Sequence, residues 1–150
     1  MISIAEEKKT GIPFTSGGEC AILNIYSTDK EIFMIEYIHE PTDLQCGQAV
    51  LAMVTGRSVD EIVAMLGNDR ETTLREMKDT FRKLGVGISD ERIPVTEKSQ
   101  LPEICLLSLE TPRCWHWSLY AYGTFYDPEH GVMDDFPVSA RRYYWVLTLK

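Results

Sequence analysis

Residues 44–62 read LQCGQAVLAMVTGRSVDEI, and this stretch contains the start of one predicted helix, its end and the start of the next. Within CGQAVLAMVT, apolar residues recur at helical spacing, and Gly56 follows where a helix C-cap would fall. Ser58 and Glu61 then have the spacing of a capping box, in which each side chain bonds the backbone of the other residue. The stretch predicts a helix over 46–55 that begins at Cys46, followed by a second helix.

The flanking sequence extends these two helices into a larger pattern. Thr73 and Glu76 repeat the capping box and open a third helix that ends at Gly85. Strand-like segments follow at 104–109, 117–122, 124–126 and 143–149. Upstream, 21–26 and 31–38 resemble hairpin strands around the turn-like 27–30. Helices gathered before strands predict an α+β fold, with an N-terminal helical layer packed on a mostly antiparallel sheet.

The domain organisation follows from length and composition. A chain of 150 residues is close to the usual size of one domain, and it contains no internal repeat or linker-like tract. We therefore predict a single domain over residues 1–150, to which residues 1–40 contribute an N-terminal hairpin. The sequence leaves the oligomeric state open.

Charge and cysteine content argue against several functional classes. The net charge of −8 disfavours nucleic acid and anionic membranes as partners. No apolar run reaches the roughly 20 residues of a membrane-spanning helix, and residues 1–11 lack an apolar signal core. We expect a protein without membrane insertion that is cytoplasmic, or exported without a cleaved signal peptide. Without a secretory signal we expect reduced thiols, and because the four cysteines form no C-x-x-C pair we expect no metal site. We also expect no cofactor.

Three residues have the types and positions that nucleophilic catalysis requires. The N–H groups and macrodipole of a helix N-terminus stabilise a thiolate, and Cys46 is at such a position. His116 directly precedes the predicted strand 117–122 and would act as the base. A hairpin through Gly123 returns Asp127 to His116, whose ring it can orient. The plainer interpretations are a buried thiol, a structural histidine and a turn-initiating aspartate.

The segments around these residues resemble the bacteriocin leader-processing (double-glycine) branch of the papain-like cysteine peptidases. Residues 44–62 look like the nucleophile helix of that branch and the helix after it. The segments 116–120, HWSLY, and 125–131, FYDPEHG, look like its base strand and its Asp-Pro-x-x-Gly turn. The resemblance implies a papain-like fold with Cys46 as nucleophile, His116 as general base and then acid, and Asp127 as the orienting residue.

The chain departs from this branch six residues before the cysteine. The branch has a Gln there, which donates to the oxyanion hole, whereas this chain has Glu40, preceded by His39. An ionised carboxylate cannot donate a hydrogen bond, and loss of one oxyanion donor costs about 10² to 10³ in rate. Gln45, a protonated Glu40 and His39 are the candidate substitutes, and the Cys46 N–H can supply another donor.

These features support three hypotheses. The first is a cysteine hydrolase that cleaves a peptide or isopeptide bond in a peptide or protein substrate through an acyl-enzyme on Cys46. The second is glutamine deamidation or another acyl transfer on the same scaffold, which the change at Glu40 motivates. The third is a non-catalytic binding module that has lost the oxyanion Gln. We favour the first hypothesis because the Cys, His and Asp motifs occur together and in order.

Overall fold

The computed structural model describes residues 23–28 and 31–149, with side chains from residue 34 onward, and these residues fall into two compact units that divide after Tyr37. In the first unit, β1 (Leu23–Thr28) and β2 (Glu31–Glu36) form an antiparallel hairpin in which Leu23 is opposite Glu36. The hairpin was expected, but Ser27 and Thr28, which the sequence predicted as turn residues, belong to β1. Residues 21, 22, 29 and 30 of the predicted hairpin lie outside the described residues. The single-domain assignment stays a prediction.

The second unit opens with three helices, α1 (Cys46–Thr55), α2 (Val59–Leu66) and α3 (Leu74–Lys83). The capping residues that the sequence indicated start or end these helices. Gly56 caps α1 in the left-handed conformation, with φ of 77°. Ser58 and Thr73 each begin a helix with a complete capping box. Residues 47–54 of α1 are all buried, so α1 is the core helix of the unit.

Seven strands form one antiparallel sheet behind these helices. The strands are β3 (Gly87–Ile88), β4 (Ile93–Pro94), β5 (Ile104–Glu110), β6 (Trp115–Ala121), β7 (Thr124–Asp127), β8 (Gly131–Met133) and β9 (Arg142–Thr148). Their order is β3-β9-β5-β6-β7-β8, and β4 pairs with β9 as well. The fold is therefore α+β, with α1 packed against the central strand β6.

The sheet differs from the sequence-based prediction in two respects. The short strands β3, β4 and β8 were not predicted, because two or three residues are too few to show an alternating pattern. The predicted strand 117–122 begins earlier, at Trp115, so His116 lies inside β6 rather than directly before it. The cause is the pairing of β6 with β5, which continues through Leu109 opposite His116 to Glu110 opposite Trp115.

Within the described residues, none of the helices combines the length and the apolar composition that crossing a membrane would require.

Candidate active site

Cys46 is the first residue of α1, and its half-buried sulfur lies against β6. The backbone N–H of Trp117 donates a hydrogen bond to Cys46 Sγ over 3.4 Å. Gln45 is the N-cap residue, and its side chain makes no capping hydrogen bond to the first turn. The N–H groups of that first turn and the Trp117 amide both favour negative charge on the sulfur. Hydrogen-bond donors around the sulfur at the start of a helix are typical of reactive cysteine sites.

A buried imidazole and carboxylate connect β6 with the end of β7. His116 Nε2 lies 2.9 Å from Asp127 Oδ1, and both side chains are almost wholly excluded from solvent. Because an ionised carboxylate only accepts, Nε2 must donate this hydrogen bond. The other ring nitrogen, Nδ1, is then the one available to Cys46, whose sulfur lies within 4.8 Å of a His116 ring nitrogen. The separation in sequence of 70 residues is thus closed by packing α1 on β6.

Further donors hold the Asp127 carboxylate in place. Ser118, two residues after His116, donates from Oγ to Oδ2 over 2.8 Å. The backbone N–H groups of Glu129 and His130 each donate to Oδ1 over 3.0 Å, and His130 Nδ1 lies 2.8 Å from the same oxygen. Asp127 therefore initiates the turn after β7 and orients His116 at the same time, so the two interpretations of this residue are compatible.

His116 and Asp127 each shift the pKa of the other toward its charged form. Burial alone would lower the pKa of His116, but its hydrogen bonds to Asp127 and Cys46 and the charges of both outweigh burial and raise that pKa. Burial would raise the pKa of Asp127, but the hydrogen bond and charge of His116, together with hydrogen bonds from Ser118 and His130, lower it. An imidazolium beside a carboxylate is therefore the stable state of the pair around neutral pH.

Glu40 brings a third acidic group to the same place. One of its carboxyl oxygens, Cys46 Sγ and a ring nitrogen of His116 lie within 4.8 Å of one another. The backbone N–H of Glu40 donates to Pro128 O over 2.9 Å, which fixes this segment beside the turn that follows Asp127. The residue is only 6% exposed, and among the described residues its buried Oε1 has no hydrogen-bond partner.

Burial is the main reason that the pKa of Glu40 is raised. The charges of Glu129 and Asp127 act in the same direction, while those of His116 and His39 oppose it. At a given pH, Glu40 is therefore protonated more often than a glutamate in water. In that form Glu40 can donate a hydrogen bond, as the sequence-based hypothesis of a protonated Glu40 requires.

The other oxyanion candidates are placed differently. The Gln45 side chain is buried, and its Oε1 has no partner among the described residues. No hydrogen bond from this side chain to Glu40, Cys46 or His116 is found in that part of the chain. His39 is exposed. The Glu40 carboxyl group lies within 4.8 Å of the sulfur and of an imidazole nitrogen.

Two residues of this arrangement were missed from the sequence. Ser118 is at i+2 from His116, and alternation along a strand places both side chains on one face of β6. That spacing was a usable signal. His130 is at i+3 from Asp127, and its contact depends on the turn conformation between them. No pattern in the sequence marks it.

No protein-family model matches this chain, and a search of curated proteins finds no significant match.

Proposed function

We propose that the protein is a cysteine hydrolase that cleaves a peptide or isopeptide bond through an acyl-enzyme on Cys46. The observation that carries this proposal is the distance within 4.8 Å between Cys46 Sγ and a ring nitrogen of His116, whose other nitrogen is bonded to Asp127. A nucleophile, a base and a group that orients the base are the parts that acyl transfer needs.

The chemistry follows from the protonation states of these groups. The Cys46 thiolate attacks the substrate carbonyl carbon, and the carbonyl oxygen becomes an oxyanion. The His116 imidazolium gives its proton to the leaving amine as the C–N bond breaks, which leaves a thioester on Cys46. Neutral His116 then takes a proton from water, whose oxygen attacks the thioester. The acid is released, and the thiolate and the imidazolium are restored.

Stabilisation of the oxyanion requires hydrogen-bond donors near the sulfur. The N–H of Cys46 lies at the start of α1, where no intrahelical acceptor exists for it. Glu40 supplies a second donor when it is protonated, and its burial favours that form. On this proposal the protein needs no Gln at position 40 for acyl transfer, but the reaction slows as Glu40 ionises.

A papain-like fold is part of the same proposal. It is supported by a buried helix headed by Cys46 that packs against a strand carrying His116, with Asp127 at the end of the next strand. The resemblance of these three segments to the leader-processing peptidases agrees with the order of the elements.

The first test is selective reaction of Cys46 with an electrophile such as iodoacetamide, followed by peptide mass spectrometry. Cys114 is exposed and Cys105 is buried, so they are internal references for access without activation. We expect Cys46, although half-buried, to react at least tenfold faster than Cys114, because thiolate content controls cysteine reactivity. We expect His116→Ala to remove this advantage.

Equal labelling of Cys46 and Cys114 in the folded protein would contradict the proposal. The matched control is His130→Ala, which removes the other imidazole on Asp127 and leaves His116 in place. It should preserve most of the selectivity. A thermal unfolding curve for each variant separates loss of reactivity from loss of folding.

Glutamine deamidation is the second candidate, because a side-chain amide presents the same carbonyl and an amine-type leaving group to Cys46. The change at Glu40, beside the sulfur, is the observation that favours a reaction other than that of the peptidases which these segments resemble. Incubation of a proteome with the wild type and with Cys46→Ser distinguishes the two reactions. New peptide termini that require Cys46 support the hydrolase, whereas Gln-to-Glu conversion without new termini supports the deamidase.

A further inference from the structure

Three side chains of the candidate active site are of the types that bind metal ions. Glu40 offers a carboxyl oxygen, Cys46 a thiolate sulfur and His116 a ring nitrogen, all within 4.8 Å of one another. The Oε1 atom of Glu40 is buried and has no partner among the described residues. An unpartnered carboxyl oxygen excluded from solvent is costly unless it binds a cation or a donor.

We propose that Glu40, Cys46 and His116 form a binding site for Zn²⁺ or a similar divalent metal ion, and that the bound ion blocks the Cys46 nucleophile. One oxygen, one nitrogen and one sulfur suit zinc, whereas Mg²⁺ and Ca²⁺ prefer oxygen ligands alone. Three protein ligands leave a fourth tetrahedral position open for water.

The geometry requires only a small adjustment. Tetrahedral zinc with its usual bond lengths holds such ligand atoms about 3.3 to 3.6 Å apart. Because the ligand atoms lie within 4.8 Å of one another, the side chains have to close by at most about 1.5 Å. Glu40 has three rotatable side-chain bonds, and its backbone is tied to Pro128. Rotation of the carboxyl group can supply this movement.

The hydrogen bond between Asp127 and His116 also favours metal binding. Ligating histidines usually donate their second N–H to a carboxylate, which fixes the ring and makes the ligating nitrogen more basic. His116 Nε2 has this bond to Asp127, so Nδ1 is the nitrogen that binds the metal once the imidazolium has lost its proton. The alternative cluster of His116, Asp127 and His130 is a poorer site, because Asp127 Oδ1 already accepts from two backbone N–H groups.

The binding step is an exchange of protons for the metal. Cys46 binds as the thiolate, His116 as the neutral imidazole and Glu40 as the carboxylate, and the protons that they release go to solvent. A thiolate bonded to zinc no longer attacks a carbonyl carbon. The regulatory consequence rests on the proposed function, whereas the binding itself does not.

This proposal departs from the sequence-based expectation of no metal. That expectation came from the absence of a C-x-x-C pair, but here the ligands come from the segment before α1, from α1 and from β6. Glu40 is the position at which the chain departs from the peptidases that its motifs resemble. A Gln at this position would offer a neutral amide oxygen, which is a much weaker ligand for zinc than a carboxylate.

The test is a titration of the metal-free full chain with Co²⁺, which takes zinc sites and has visible absorption. We expect bands of tetrahedral cobalt and a sulfur-to-cobalt charge-transfer band, both lost on addition of Zn²⁺. Changes in groups that only support a ligand weaken metal binding about 10- to 100-fold. We therefore expect Glu40→Gln to weaken Co²⁺ and Zn²⁺ binding at least tenfold, and Cys46→Ser to abolish the charge-transfer band.

Glu129→Gln is the matched control, because it removes one negative charge near the site without removing a ligand. It should bind nearly as tightly as the wild type. If Glu40→Gln destabilises the fold, Glu40→Ala and a melting curve for each variant keep the comparison valid. Equal affinity for the wild type and Glu40→Gln, or a Co²⁺ complex without the thiolate band, would overturn the proposal.

A second readout separates this proposal from the proposed function. Zn²⁺ should protect Cys46 from iodoacetamide in the wild type and protect it at least tenfold less well in Glu40→Gln. Protection without any Cys46-dependent cleavage would leave the metal site standing and reject the hydrolase. The opposite result is cleavage that Zn²⁺ does not affect, together with no thiolate–cobalt band. That result would reject the metal site and leave the hydrolase standing.

Discussion

At the scale of single residues, Glu40 takes part in both proposals, as a hydrogen-bond donor in the reaction and as a ligand of the metal ion. Its carboxyl group lies within 4.8 Å of Cys46 Sγ and a His116 ring nitrogen, in a position from which it can donate, repel or bind a cation. Which of these roles it has depends on whether the carboxyl group is protonated. Burial and the charges of Glu129 and Asp127 favour keeping that proton, and the charges of His116 and His39 favour losing it.

The substitution Glu40→Gln tests the donor role. We expect wild-type acylation by an activated aryl ester, measured with a chelator present, to fall as rising pH ionises Glu40. The amide donates at every pH, so the variant should lack this decline and exceed the wild type by up to about 10²-fold at the alkaline end.

Alkylation of the same thiol is the internal control, since iodoacetamide reacts without forming an oxyanion. Its rate should be similar in the wild type and in Glu40→Gln. If the variant instead acylates more slowly than the wild type at every pH, Glu40 acts in some other way, for example as an acid that protonates the leaving group.

At the scale of secondary-structure elements, Gly47 determines how closely α1 can approach its neighbours. A Cβ at this position would collide with Thr72 Oγ1 and would lie 3.0 Å from Met77 Sδ and 3.1 Å from Trp117 Cδ1. A glycine directly after Cys46 could leave room for a substrate carbonyl to approach the backbone. The structure gives a packing reason, which follows from the contact of the helix with β6 and with the residues before α3.

We expect Gly47→Ala to destabilise the protein. In an exposed helix interior this change would stabilise by about 0.5 to 1 kcal/mol, but overpacking a dense core costs about 1 to 3 kcal/mol. The second effect should dominate, because Thr72 is buried and its carbonyl oxygen accepts a hydrogen bond from Trp117 Nε1. Urea unfolding measures the difference in free energy of unfolding.

The double variant Gly47→Ala with Thr72→Ala is the control for this explanation. It removes the closest atom that the new methyl group meets, so a thermodynamic cycle should show a favourable coupling between the two sites. A stabilised Gly47→Ala protein, or two changes that simply add, would show that the helix is not limited by this contact.

At the scale of the whole molecule, two connections join the segment before α1 to the turn after β7. The first is the hydrogen bond from the Glu40 N–H to Pro128 O. The second is Arg113, which forms ion pairs with Asp43 over 3.1 Å and with Glu129 over 3.0 Å. The Arg113 side chain is 62% exposed, so water and salt screen these pairs and they contribute little to stability.

The buried pair of His116 and Asp127 should instead determine how the stability of the molecule depends on pH. The pKa of Asp127 is lowered by folding, so its contribution is present above the unfolded pKa of about 3.9 and is lost as pH falls further. The pKa of His116 is raised, so its contribution is complete below about pH 6.5 and is lost as pH rises through the folded value.

We therefore expect Asp127→Asn to lower the free energy of unfolding most between about pH 4 and pH 6.5. The loss there should be about 3 to 5 kcal/mol, the usual cost of removing one partner of a buried pair. Urea unfolding over a series of pH values measures it. The exposed Asp69→Asn is the control and should show no such maximum. A constant difference between wild type and Asp127→Asn at all pH values would contradict the ion-pair assignment.

Much of the local structure could be predicted because its causes are local. Capping boxes at Ser58 and Thr73, a left-handed Gly56 and the apolar spacing of α1 act within one or two turns of a helix. The four longer strands beyond the helices were recognisable, because their β-branched and aromatic runs are long enough to show a pattern. The start of β6 was predicted two residues late, since it is set by pairing with β5 and not by its own residues.

The sequence by itself determined the three helices, the helical position of Cys46 and the α+β class, because these follow from interactions between residues close together in the chain. Tertiary structure alone decided that Glu40, Cys46 and His116 share one site, that Ser118 and His130 hold Asp127, and that Gly47 is needed for packing. The physical reason is that strand register and the contact of α1 with β6 place side chains to within a few ångströms, and neither can be read from any one segment.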